Sequence, residues 1–229
     1  MGSTCSKTES ATNTPPTKPS TTTKNNNNNK NTNDNSNMAP ITSTLALGAG
    51  CYWGTEKYIV KDFQKLHPGC IAKARVGFMN PDPNGMEDPS YRQVCSGSTG
   101  HVEVLNIELS KDAAATPELF EELMKFFYTF HDPTTLHRQG NDRGTQYGSA
   151  VFVTSGDQRE IAERVKKELQ SHLDHETVTG YQGKTVETAI VDYTTFYEAH
   201  KEHQEYLDKN PRGYCNHRYR FQSWPKAEL

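Results

Sequence analysis

The chain has 229 residues, a formal net charge of −3 and 33% hydrophobic residues, enough for one sizeable domain. Its mixed, slightly acidic charge gives no reason to expect a nucleic-acid partner, and no apolar run approaches a membrane span or a secretory signal. The five cysteines, at positions 5, 51, 70, 95 and 215, are odd in number and far apart, which argues against a secreted disulfide framework and for a reducing, cytoplasmic setting.

Residues 1–40 are almost entirely Thr, Asn, Ser, Pro and Lys, including the run Asn25 to Asn29. Such a segment buries too little to offset its ordering entropy and is predicted to be disordered, leaving 41–229 as one folded domain. At the start of that tail, Met1-Gly2-Ser3-Thr4-Cys5-Ser6 fits myristoylation at Gly2 with Cys5 placed for a palmitoyl chain, a pair that would anchor a protein to a membrane. Chance or a cloning scar beginning Met-Gly-Ser accounts for the same letters equally well.

Ser43 to Leu47 reads as a short strand stopping at Gly48-Ala49-Gly50. A helix follows from Cys51 to about Leu66, before the stop signal His67-Pro68-Gly69. Cys70 to Phe78 reads as a strand, followed by a Pro/Gly/Asn/Asp loop to about Pro89, and His101 to Leu109 as a largely buried strand. Thr116-Pro117 looks like a helix N-cap with proline at the first helical position. Behind it Leu119, Phe120, Leu123, Phe126, Phe127 and Phe130 share one face. Thr145 to Val153 is read as a strand, and Asp157 to about His172 as an amphipathic helix with Ile161, Val165 and Leu169 inward. Val186 to Val191 is read as a strand and Phe196 to Leu207 as a last helix. The order β-α-β-β-α-β implies an α+β fold, a two-layer sandwich whose antiparallel or mixed sheet is of ferredoxin-like, split β-α-β type with long functional loops.

Four segments could carry chemistry. Gly48-Ala49-Gly50-Cys51-Tyr52-Trp53-Gly54 puts a cysteine at a strand-to-helix junction. There unpaired backbone N–H groups and the helix dipole are expected to lower its pKa. Tyr52 and Trp53 offer apolar faces beside it. In Gly100-His101-Val102-Glu103-Val104, alternation puts Glu103 on the face of Leu105 and Ile107, where a carboxyl should stay protonated and could act as a general acid. A polar, glycine-bearing stretch, His131 to Thr135 and Gln139 to Tyr147, joins a helix to a strand, where positioned loops commonly act. Finally, Gly213-Tyr214-Cys215 reads as a mobile coil whose cysteine could travel to a reactive sulfur. The bland alternatives are a structural cysteine, a strand-edge glutamate, a plain connecting loop and an inert tail cysteine.

Taken together, Gly-Cys51-Tyr52-Trp53-Gly, Pro89-Ser-Tyr91, Val94-Cys95-Ser96-Gly97-Ser-Thr99-Gly100-His101-Val-Glu103, His131-Asp-Pro-Thr134 with Arg138-Gln-Gly140, Asp142-Arg-Gly-Thr-Gln146-Tyr147 and Tyr206-Leu-Asp-Lys-Asn210-Pro-Arg-Gly213-Tyr-Cys215 resemble, in order, the motifs of A-type peptide methionine sulfoxide reductases over roughly residues 44 to 218. The resemblance implies Cys51 as the nucleophile passing through a sulfenic acid, and Glu103 as the acid on the sulfoxide oxygen. It implies Tyr91 and Tyr147 as hydrogen-bond donors to that oxygen, Tyr52 and Trp53 as the methyl pocket, Asp142 as support for the polar network and Cys215 as the resolving cysteine. It further implies a monomer without metal or organic cofactor that repairs oxidised proteins and methionine S-sulfoxide, with thioredoxin as reductant. Departures from the pattern are Tyr52 where Phe is usual, Gly148 where Arg is usual, Gly77-Phe78-Met79-Asn80 in place of a more glycine-rich turn, and His200 and Glu202 in the last predicted helix. His200 and His203 would share a face of that helix, read as solvated. Cys70 and Cys95 are read as structural. Two competing readings are a cysteine hydrolase with His101 or His131 as base, and a non-catalytic thiol or binding module.

Overall fold

Alternation along the strands sorts the apolar residues onto two faces of one sheet. Leu45, Leu47, Leu105, Ile107, Val151 and Val153 point to one side and Ala46, Val102, Val104, Ala150 and Phe152 to the other. The computed structural model describes residues 42–114 and 116–225; Gly2, Cys5 and the segment expected to be disordered lie outside them. The strands are β1 (Thr44–Ala49), β2 (Ile71–Met79), β3 (Val102–Leu109), β4 (Arg138–Gln139), β5 (Asp142–Arg143), β6 (Ser149–Val153), β7 (Ala189–Asp192) and β8 (Tyr197–Glu198). Six form a sheet in the order β7-β6-β1-β3-β2-β8, while β4 and β5 make a separate ribbon. Pairings are antiparallel except β6 with β7, which is parallel. Because β3 lies between β1 and β2, the first β-α-β unit is split, and β6-β1-β3-β2 is the ferredoxin-like core expected from the element order.

Helix α1 starts at Tyr52–Glu56, widens into π winding over Lys57–Phe63 and closes at Gln64–Leu66. Two further short helices are α2 (Tyr91–Cys95) and α3 (Lys111–Ala114). The helices α4 (Pro117–Phe130) and α5 (Gly156–Asp174) cover the same face of the sheet as α1. Phe120, Leu123, Phe127 and Phe130 of α4 and Ile161, Val165 and Leu169 of α5 are buried in that single core. The opposite face is covered by Val191, Tyr193 and Phe196. Among the described residues no helix is long and apolar enough to cross a membrane.

Two local expectations are corrected, and one element appears where none was expected. The strand predicted from Thr145 begins only at Ser149. Thr145–Tyr147 is a 3₁₀ turn, held because the Thr145 hydroxyl donates to the Gly97 carbonyl and the Gln146 amide to that of Cys95. Between Pro89 and His101, where the sequence pattern assigns no element, Ser90 and Gln93 form a reciprocal capping box that starts α2. The helix predicted over Phe196 to Leu207 does not form. Tyr197–Glu198 instead pairs with Gly77–Phe78 at the open edge of β2, and the chain turns through Glu205, at φ 54, into the short helix α6 (Tyr206–Lys209). An exposed strand edge carries obligatory hydrogen-bonding groups, and satisfying them outweighs helical propensity. The Gln204 amide extends this pairing: its oxygen accepts the Val76 N–H at 2.8 Å, and its nitrogen donates to the Val76 and Ala199 carbonyls.

Gln204→Leu strands the Val76 N–H, so it is expected to lower stability by about 1–3 kcal/mol. Urea unfolding monitored by fluorescence reads this as a lower midpoint, and an unchanged midpoint would remove the edge-pairing role.

Candidate active site

Cys51 occupies the turn between β1 and α1, 8% exposed. Gly50 reaches this turn at φ 94, and a Cβ there would overlap Gln139. One strand over, Glu103 is 4% exposed on the core face of β3, and its carboxylate accepts the Tyr52 N–H at 3.0 Å. Burial pushes the Glu103 carboxyl up to about 8; the Tyr52 N–H opposes the shift and the nearby Asp142 adds to it.

The thiol behaves otherwise than expected from its position at a helix start. The Trp53 N–H does bond to the sulfur and favours the thiolate, but burial and then Glu103 outweigh it and hold the Cys51 thiol well above the ordinary range. At neutral pH the pair therefore holds two protons, one on sulfur and one on oxygen.

Tyr147 and Asp142 lie within electrostatic reach of this pair, and Tyr91 within reach of Tyr52. Tyr147 projects from the 3₁₀ turn, where burial, Glu103, Asp142 and Cys51 all disfavour its phenolate. Tyr91 heads α2 with its ring against Phe78 and, at 4.7 Å between centroids, His203. Asp142, in β5, is buried and anchors the C-terminal chain: it accepts from the Tyr214 hydroxyl at 3.2 Å and the Asn216 amide at 2.9 Å. Tyr52 packs on Phe78. Trp53 stacks on Tyr206 with centroids 3.7 Å apart, and on His203 at 5.8 Å. His203 is thus a wall of the aromatic pocket rather than part of a solvated helix face. Sequence reasoning missed it because the face it was assigned to belongs to a helix that does not form.

Cys215 is a half-buried free thiol, and the coil that carries it is docked rather than loose. Asn216 also donates to the Gln139 carbonyl, His217 is buried against Ala49, and Arg218 and Arg220 bond to the last turn of α4. His217, absent from the candidates drawn from sequence, lies two residues beyond Cys215, a spacing that carries no signal on its own. Of the histidines considered as hydrolase bases, His131 has one ring nitrogen on the Phe127 carbonyl and the other on the Ser149 hydroxyl. The His101 ring lies edge-on to Tyr197. Among the described residues neither bonds to Cys51. Cys70 is buried in the core, and Cys95 lies close enough to Tyr52 and Tyr147 to influence both.

The model of the peptide methionine sulfoxide reductase family matches residues 43–227. The chain belongs to this family. A probable peptide methionine sulfoxide reductase of Schizosaccharomyces pombe is 36% identical over 168 residues, covering 73% of this chain and 89% of that one. The peptide methionine sulfoxide reductase MsrA of Vibrio cholerae is 42% identical over 172 residues, covering 75% and 72%. Among solved structures, reduced Mxr1 of Saccharomyces cerevisiae is 34% identical with TM-score 0.61, covering 76% of this chain and 88% of that one. Methionine sulfoxide reductase A of Corynebacterium diphtheriae is 32% identical with TM-score 0.57, covering 77% and 79%. This peptide methionine sulfoxide reductase is an oxidoreductase of the A type, and the hydrolase and binding-module readings are not favoured.

Among the described residues the Tyr52 hydroxyl is buried without a hydrogen-bond partner. Removing an unsatisfied buried hydroxyl relieves its desolvation cost, so Tyr52→Phe is expected to stabilise the fold by about 1 kcal/mol. Calorimetry checks this as a raised melting temperature, and a lowered one would mean the hydroxyl is satisfied.

Proposed function

We propose that this chain reduces methionine S-sulfoxide, in proteins and free, with Cys51 as nucleophile, Glu103 as acid, and residues 41–229 as the catalytic domain. The observation that carries the reading is a carboxyl poised near pH 8 on the core side of β3, beside a buried thiol. A sulfoxide sulfur becomes electrophilic only as its oxygen gains a proton, so thiolate and neutral acid must act together. With the thiol proton already lost to solvent, the Glu103 proton moves to the sulfoxide oxygen as the Cys51 thiolate attacks, and the carboxylate afterwards takes up a proton from solvent. The oxygen ends on Cys51 as a sulfenic acid and methionine leaves.

Tyr91 and Tyr147 donate to the same oxygen, Asp142 supports the polar network, and Tyr52 and Trp53 take the methyl group. Holding oxygen and methyl at separate places selects one epimer at the chiral sulfur. Cys215 then attacks the sulfenic sulfur to give a disulfide and water, and thioredoxin reduces the disulfide. The enzyme acts as a cytoplasmic monomer.

The first test is dithiothreitol-supported turnover of the separate S- and R-epimers beside Cys51→Ser. Reduction of the S-epimer alone, lost in the variant, is expected; reduction of neither epimer, or of both, would sink the reading. The reactive state has one proton shared between thiol and carboxyl, whereas the resting pair has two. Hence kcat/KM is expected to rise with pH up to about 8, where the pair loses its first proton, and to fall again above the thiol's own value. Glu103→Gln moves the rising limb upward and lowers the plateau by roughly 100- to 10,000-fold; a stopped-flow pH profile like that of the wild type would exclude Glu103 as the acid.

Anchoring through acyl chains at Gly2 and Cys5 is a separate proposal resting on the amino-terminal pattern alone. Gly2→Ala is expected to shift the protein from the membrane to the soluble fraction, and an unaltered distribution would count against it.

A further inference from the structure

The buried histidine of the C-terminal chain has no role in the chemistry above, yet it touches both ends of it. Its Nε2 lies 2.6 Å from the carbonyl oxygen of Ala49, two residues before Cys51. Its Nδ1 lies 3.9 Å from the sulfur of Cys215. Its ring packs so closely on the first turn of α1 that a Cβ at Gly54 would overlap Nδ1. The Tyr58 hydroxyl donates to its backbone carbonyl, and its ring leans on Phe130.

A carbonyl oxygen can only accept, so the Ala49 contact puts the ring proton on Nε2. Nδ1 is then a bare lone pair, and the group facing it is the Cys215 thiol, whose S–H can donate to it. The ionisable groups around the ring keep it neutral at rest. Burial, the Arg220 guanidinium and the Lys57 ammonium push it down to about 4, against the pull of the Ala49 carbonyl, and His131 lies within electrostatic reach.

Resting on the proposed roles of Cys51 and Cys215, we infer that His217 is the base of the resolving step. It takes the proton of the Cys215 thiol as that sulfur attacks the Cys51 sulfenic acid, and passes the proton to the departing hydroxyl. One S–S bond forms, the S–O bond of the sulfenic acid breaks, and the hydroxyl leaves as water. The Cys51 sulfur is reduced and the Cys215 sulfur oxidised, so no outside oxidant or reductant enters. The imidazolium exists only beside a developing thiolate, and the attraction of that pair offsets the cost of charging a buried ring. The second glycine of Gly50-Cys51-Tyr52-Trp53-Gly54 also gains a reason: it leaves the space in which this ring reaches both the nucleophile's turn and the resolving thiol.

The test is a single turnover of methionine S-sulfoxide without reductant. Samples are quenched by thiol alkylation so that sulfenic acid and disulfide are counted separately by mass. Wild type, His217→Gln and Cys215→Ser are compared across pH. Glutamine keeps a donor and an acceptor near the same places but cannot carry the proton. It is expected to lower the ratio of the disulfide-forming rate to the sulfenic-acid-forming rate about 100-fold, and to make disulfide formation climb with pH as hydroxide takes over. A ratio and pH profile equal to wild type would overturn the inference while leaving the resolving role of Cys215 intact. A disulfide that still forms in Cys215→Ser would overturn that role instead. Should His217→Gln release no methionine, for want of a folded site, wild type in deuterium oxide decides: slowed disulfide formation is expected, and equal rates in both solvents would overturn the inference.

Discussion

The proposed chemistry depends on one placement, a carboxyl on the core face of β3 with a backbone N–H aimed at it. Burying Glu103 among Leu105 and Ile107 would be costly without a partner, and the Tyr52 N–H supplies one at 3.0 Å. That contact ties the centre of the sheet to the start of α1, fixing the turn that carries Cys51. It also leaves the carboxyl protonated at neutral pH and, through proximity, raises the thiol beyond what burial alone would do. Cys51 and Glu103 thus titrate as a coupled pair.

The rest of the site is brought to this pair by segments far apart in the chain. The β4–β5 ribbon presents Asp142, and Asp142 binds the C-terminal chain through Tyr214 and Asn216. Farther along, Asp132 and Arg220 face each other in the interior at 3.7 Å, and Trp224 reaches Glu168 on α5 at 2.6 Å. The tail beyond Cys215 is therefore part of the fold, and it holds Cys215 within electrostatic reach of Cys51. On the other side, edge pairing at β8 and the Gln204 amide hold the segment whose His203 and Tyr206 back the Trp53 ring.

Much of this was legible in the sequence wherever local pattern decides structure. Alternation along residues 102–107 correctly put Glu103 on the face of Leu105 and Ile107, and helical spacing gave α4 and α5 nearly to their ends. The element order gave the split β-α-β core, and the ordered motifs gave the family. Reading stopped where a distant partner overrides local preference. Residues 196–207 carry helix-forming letters, yet the unpaired edge of β2 claims them as a strand and a turn. Thr145 to Tyr147 continue an apparent strand, yet side-chain bonds to Cys95 and Gly97 wind them into a 3₁₀ turn. A helix start argues for an acidic thiol, but the sign of the shift at Cys51 is set by burial and by Glu103, neither of which the local chain encodes.

The sequence by itself determined the strands, the long helices and the family, and it supplied the residues proposed to react, because side-chain period and motif order are local properties. Tertiary structure alone decided the protonation of the Cys51–Glu103 pair, the docking of the C-terminal chain and the contacts of His217. Each of these depends on through-space distance and solvent exclusion between segments distant in the chain, as Cys51 is from Glu103 and Ala49 from His217.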